Sequence, residues 1–308
     1  MSLKHSAYIG LPSHQGTGGF DHAAVHSSLG LLYVAHTAND ALDVVDCIND
    51  KYLRSVGGLT AVAGALVSEE RDLVFTSNRG ENTVSFFLPE DEANLVKVKV
   101  GIRPNGLAYD PHCNLLIAAN VGDPAIPGSF TVSVVDVTKN ALISDIAVPG
   151  RTRWAIYDAV SDAFFVNIAD PPQIAVIETA RPTGIARAIN VSAAGPHGLD
   201  LDSERLRLFC ACDDRKLVSV DSRSGEVLDA LDLSGIPDVI FFNAALNHLY
   251  VAIGDPGVIE VFDTEAMKVL EVVSTEPGAH TIAFDSERNK VYAFLPQTSR
   301  AVVYVDEN

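Results

Sequence analysis

One phrase recurs seven times in this chain, and it restricts the fold before any single residue is considered. Each copy holds a short apolar strand, a polar turn, a second apolar strand, and a strand that closes on an acidic residue. The second strands read LLYVAH (31–36), LVFTSN (73–78), LLIAAN (115–120), FFVNI (164–168), LFCAC (208–212), LYVAI (249–253) and VYAFL (291–295). The closing acids are Asp46, Asp136, Glu178, Asp221, Asp263 and Asp306, with Leu88 at that register in the second copy. A period of roughly 40 residues built from short alternating strands is the pattern of a β-propeller, one four-stranded blade per repeat. The sequence therefore predicts an all-β, seven-bladed propeller occupying residues 1–308 as a single domain.

Six stretches qualify as outer strands: KYLRSV, LVKVKV, LISDIAV, IARAINV, EVLDALDL and VLEVVS. The seventh blade has none, because the chain stops shortly after AVVYVD. The unused segment HSAYIG (5–10) is expected to complete that blade, so that the chain ends latch the ring. An unclosed propeller would leave strand edges free to pair with other chains. Two segments depart from the repeat, Leu11–Phe20 with Gly16, Gly18 and Gly19, and Val121–Phe130. Strand order puts both loops at one end of the ring.

Charge then narrows the partners. A formal net charge of −18 with no basic stripe argues against nucleic acid and against anionic lipid. No apolar run approaches the ~20 residues that span a bilayer, and MSLKHSAYIGLPSHQ lacks the apolar core of a secretory signal. The expectation is a cytoplasmic protein with no membrane partner, a mature exported form being the alternative. The four cysteines, Cys47, Cys113, Cys210 and Cys212, do not form a disulfide framework, and structural thiols are the expectation. Neither the sequence nor its spacing sets an oligomeric state.

In a propeller the loops entering the inner strands gather at one mouth of the central channel. Aligned through the repeat, the first inward positions are Asp21, Ala63, Asn105, Arg153, His197, Asp238 and His280. One residue later come His22, Gly64, Gly106, Trp154, Gly198, Val239 and Thr281. Strand alternation lets one of these rows face the channel. Glycines in the second row favour the first, with Asp21 and His22 left open in blade one. Contiguous blades then present His197, Asp238, His280 and Asp21 as an arc of imidazoles and carboxylates, the donor set of a divalent ion such as Zn, Mn, Fe, Ca or Mg. Opposite stand Asn105 and Arg153, with Trp154, Arg103 and Arg151 nearby, suited to an anionic small molecule. His36 and His14 are further candidates for the mouth. His5, His26, His112 and His248 fall on outer strands or turns and are expected at the surface. Channel positions are wet in any propeller, so a purely structural polar lining stands beside these readings.

The segments FDHAAVHSSLGLLYVAHTANDALDVVD (20–46), RPNGLAYDPHCNLLIAAN (103–120) and PHGLDLDSERLRLFCA (196–211) resemble repeats of the YVTN/YncE-like seven-bladed propellers. Arg103-Pro104-Asn105-Gly106-Leu107-Ala108 is also similar to the motif by which gluconolactonase-like propellers supply a metal-binding asparagine. That resemblance implies Asn105 as a ligand and Asp238 as its companion, whereas the glutamate those enzymes carry near their start has no counterpart here. Two functions remain. One is an enzyme, with a metal on His197, His280 and an arc carboxylate, substrate oriented by Arg153, and protons moved by Asp21 or His22. It would be a lactonase-like hydrolase, or a lyase or isomerase, acting on an acidic substrate. The other is a non-catalytic propeller that binds a small molecule or a partner protein at its mouth.

Overall fold

The computed structural model describes residues Leu3–Glu307, and among them lie seven antiparallel four-stranded sheets. Blade one is typical, with strands Ala23–His26, Leu31–His36, Ala41–Asp46 and Lys51–Val56 running outward from the axis. Second and third strands are almost wholly buried, as in LLIAAN and TVSVVD of blade three. Their near-continuous apolar sequence follows, because neighbouring blades cover both faces. Outer strands such as KYLRSV alternate between exposed and half-buried residues.

The recurring acids hold the turns. Asp46 Oδ1 accepts backbone N–H bonds from Ile48 and Asn49 at 2.8 and 3.0 Å. Asp221 and Asp263 make the same arrangement before their outer strands. A carboxylate that bonds the backbone two and three residues on stabilises a tight turn, so the repeat closes on Asp for a local reason. Asp306 accepts bonds from Tyr250 Oη at 2.6 Å and from His248 Nδ1 at 2.7 Å. That buried cluster ties blade six to blade seven. His248 is accordingly buried, as is His26 between Asp72 and Ser28, where the sequence suggested surface positions.

Apolar clusters fill the seven junctions between blades. Phe75 of blade two packs on Tyr109 of blade three with ring centroids 4.6 Å apart. Ring closure follows the expected latch, since Leu3–Gly10 pairs antiparallel with Arg300–Asp306, from Leu3 opposite Asp306 to Gly10 opposite Arg300. Leu3 and Ile9 are nearly fully buried, one in the junction toward blade six and the other toward blade one. Among the described residues no helix is long and apolar enough to cross a membrane.

Removing residues 1–11 therefore exposes the Arg300–Asp306 edge and empties two junctions at once. The truncated protein is expected to melt about 10 °C or more below the full chain, given the few degrees that each kcal/mol is worth at this size. Thermal unfolding followed by circular dichroism measures it, and equal midpoints would remove the latch.

Candidate functional site

Backbone contacts between blades set the mouth residues. A Cβ added to Gly64 would lie 2.4 Å from the Asn105 carbonyl oxygen, and one on Gly198 would lie 2.4 Å from that of Asp238. Glycine is required there because each inner strand lies directly against the first-row residue of the next blade. Side chains add to the grip. Ser77 Oγ donates to the Asn105 carbonyl at 2.7 Å, and Asn167 Nδ2 donates to the His197 carbonyl at 2.9 Å.

The alternation rule fails at this point, for a definable reason. The inner strands of blades two to six carry a register shift at their first residues, as between Thr152 and Ala155 in blade four. In blade one Asp21 and His22 both bond the single residue Ala35 opposite them. Two residues facing one is a β-bulge, which allows consecutive side chains to point the same way. Both members of two pairs therefore reach the axis. His22 of blade one stacks on Trp154 of blade four across the channel, with ring centroids 4.1 Å apart. Asp21 and His22 are thus not alternatives, since both are used.

The expected arc exists as an ion-pair network. His197 Nδ1 lies 2.7 Å from Asp213 Oδ1, and its Nε2 lies 3.2 Å from Asp238 Oδ1. Arg153 Nη2 donates to Asp213 Oδ2 at 2.9 Å, while Nη1 is 3.2 Å from His197 Nε2. Burial works against charge on His197, but Asp238 and Asp213 outweigh it and push the imidazole up to about 9. Burial likewise opposes ionisation of Asp238, yet His197, His280 and His22 hold its carboxyl well below the ordinary value. His280 differs from His197. Its Nδ1 donates to the Gly278 carbonyl at 2.8 Å, and its Nε2 lies 3.9 Å from Asp238 Oδ2. His22 is driven the other way, because burial lowers its pKa more than Asp21 and Asp238 raise it.

On the opposite side Arg79 Nη2 donates to Asn105 Oδ1 at 2.8 Å and to Asp21 Oδ2 at 3.1 Å. Asp21 is thus engaged by Arg79 and not by His197 or His280. Arg103 and Arg151 are exposed and make no side-chain hydrogen bond or ion pair among the described residues. Partial enclosure and then the charges of Arg153 and Arg103 pull Arg151 below the usual arginine value. Four arginines therefore crowd one side of the mouth of an acidic protein.

A metal fits this arrangement poorly. Both nitrogens of His197 face carboxylates in the cationic form, and Asn105 Oδ1 is taken by Arg79. Among the described residues no group of three or more His, Cys, Asp or Glu is placed to hold an ion. His36 is fully buried, bonded to Asp43 Oδ2 and to His14 at 2.7 Å each, and lies away from the channel. That chain pins the Leu11–Phe20 loop to blade one, with His14 Nε2 at the Pro296 carbonyl. Sequence reasoning missed Arg79 and Asp213. Each follows the last residue of a second strand, and those loops share the mouth, so aligning that position through the repeat would have found both. It also missed the space below. Beneath His22 and Trp154 lies a cavity of about 600 Å³ that opens at the other end, among the turns at Glu69, Pro111 and Ser203.

No protein-family model matches the chain. No curated protein matches it in sequence. Among solved structures, a chain of Kuenenia stuttgartiensis hydrazine synthase superposes with a TM-score of 0.81 at 12% identity, over 94% of this chain and 97% of that one. At that identity the likeness is one of fold.

His197 supplies a pH signature. Its folded pKa lies above its ordinary 6.5, so the stability from its charge is complete below 6.5 and is lost as pH rises through about 9. His197→Gln is expected to flatten the fall of unfolding free energy across that window, by at most about 3 kcal/mol. Urea melts at stepped pH provide the comparison, and parallel curves for the two proteins would show that the imidazolium is absent.

Proposed function

We propose that the mouth is the working site and that it acts on a small acidic molecule by acid–base chemistry. The crowding of Arg103, Arg151 and Arg153 carries this reading, with two of these guanidinium groups left without a protein acceptor. Unpaired guanidinium groups held together against their own repulsion suit a carboxylate, which they bind bidentately. The chemistry comes from the pair flanking Asp238. His197 is held as an imidazolium able to give a proton, and His280, with Nδ1 tied to the Gly278 carbonyl, presents Nε2 as the ring atom that exchanges one. Such a pair supports a lyase, isomerase or hydrolase whose proton transfers run between these side chains and the substrate. The lactonase-like reading rests on Asn105 as a ligand and gains nothing from its bond to Arg79. The YVTN/YncE-like assignment and a fold shared with a hydrazine synthase chain are compatible with an enzyme and carry no reaction of their own.

A second reading, binding without turnover, is favoured by one observation. His197 has every polar atom engaged by protein groups, as in a structural network. The two readings share their ligand chemistry and separate on product formation.

Isothermal titration with succinate, malate and citrate tests the site. Saturable binding that weakens with salt is expected, and Arg151→Ala together with Arg103→Ala should reduce it by about tenfold or more, from the usual strength of charged hydrogen bonds. Equal heats for the variant and the parent would exclude the arginine site. Among acids that bind, NMR assays for chemical change then compare the parent with His280→Gln.

A further inference from the structure

Below the His22–Trp154 partition the channel has a character opposite to that of the mouth. Leu107, Tyr109, Ile156, Ile240 and Phe241 give it an apolar and aromatic wall. No Lys or Arg is among the described residues that line it, whereas Glu69 and Glu70 stand at its open end and Asp200 lies within. The volume, about 600 Å³, is in the range of small-molecule sites.

Asp200 is held in a fixed pose. Its Oδ1 accepts the Leu201 backbone N–H at 2.8 Å, and its Oδ2 accepts that of Phe242 at 2.7 Å from the next blade. A carboxylate oxygen accepts more than one bond, so lone pairs remain toward the cavity. Burial pushes this carboxyl up to about 6 against those two N–H bonds, which leaves it mainly ionised at neutral pH. Aromatic residues line the cavity that holds this half-buried anion, no Lys or Arg is among the described lining residues, and both features attract a positive organic group.

We propose that this lower cavity is a second ligand site, separate from the mouth, that takes a small aromatic or aliphatic ammonium compound with its charge on Asp200. The ammonium group supplies the missing counter-charge, and its apolar body fills the walls. Access is from the end bearing Glu69 and Glu70, where Glu69 caps the Ser27 and Ser28 N–H groups and Arg71 stands 3.9 Å from Glu70, so selection for a cation falls to Asp200 inside.

Trp154 is the only tryptophan in the sequence and lines the cavity, so its fluorescence reports occupancy. The probe is 2-phenylethylammonium at neutral pH, compared with 2-phenylethanol and 3-phenylpropanoate on the full chain. A saturable change in emission is expected, with the alcohol about tenfold weaker or more and the carboxylate inactive. Asp200→Asn should bring the amine and alcohol within about twofold of each other, since the charged hydrogen bond is gone. Ala24→Leu, which narrows the cavity without touching Asp200, should weaken both probes and serves if Asp200→Asn does not fold. No saturable response, equal response to the carboxylate, or an amine preference that survives Asp200→Asn would each overturn the proposal.

Discussion

Pairing of Leu3–Gly10 with Arg300–Asp306 turns a row of sheets into a ring, and the axis exists only because that ring closes. Each blade is apolar on both faces and cannot bury itself alone. Seven junctions solve this together, each filled by side chains from two blades. The latch strand shares in two of those junctions through Leu3 and Ile9, so closure is both a hydrogen-bonded seam and a packing event. Burying side chains of this size contributes roughly 1.5–3 kcal/mol each, which makes the seam more than a local repair.

Closure brings chemistry to the centre by backbone contact. Glycines at 64 and 198 let one inner strand rest on the next, and that contact fixes Asn105 and Asp238 at the rim. Bulges then turn extra side chains inward, so that His22 and Trp154 meet across the channel. Their stack divides the axis into two environments. Above it, imidazoles and carboxylates neutralise one another beside a group of arginines. Below it, an apolar and aromatic chamber holds the half-buried carboxylate of Asp200, with Glu69 and Glu70 at its open end.

Much of this was legible in the repeat, because alignment alone identifies equivalent positions. His197, Asp238 and His280 were found as neighbours this way, although each lies about 40 residues from the next. What alignment missed has physical causes. Alternation assumes an unbroken pleat, and the bulges broke it, so a choice between Asp21 and His22 that alternation poses as exclusive does not arise, and Trp154 reaches the axis beside Arg153. His36 was placed near the mouth because it ends a second strand, yet the Leu11–Phe20 loop buries it under His14. Arg79 and Asp213 lie outside any alignment of the inner strands, because they follow second strands whose loops lean over the same opening. Glu69, Asp200 and the lower chamber have no signature in the sequence, since an isolated acid on a strand carries no pattern.

Period, strand alternation and turn acids are local properties, and they determined the blade, its sevenfold repetition and the strand that closes it. Protonation and ligand space are not local. Whether His197 carries a charge depends on carboxylates in its own blade and the next, and the room for a ligand depends on how far six inner strands stand from one another. Electrostatic energy and empty volume depend on distances between residues remote in sequence, so only the tertiary structure decided them.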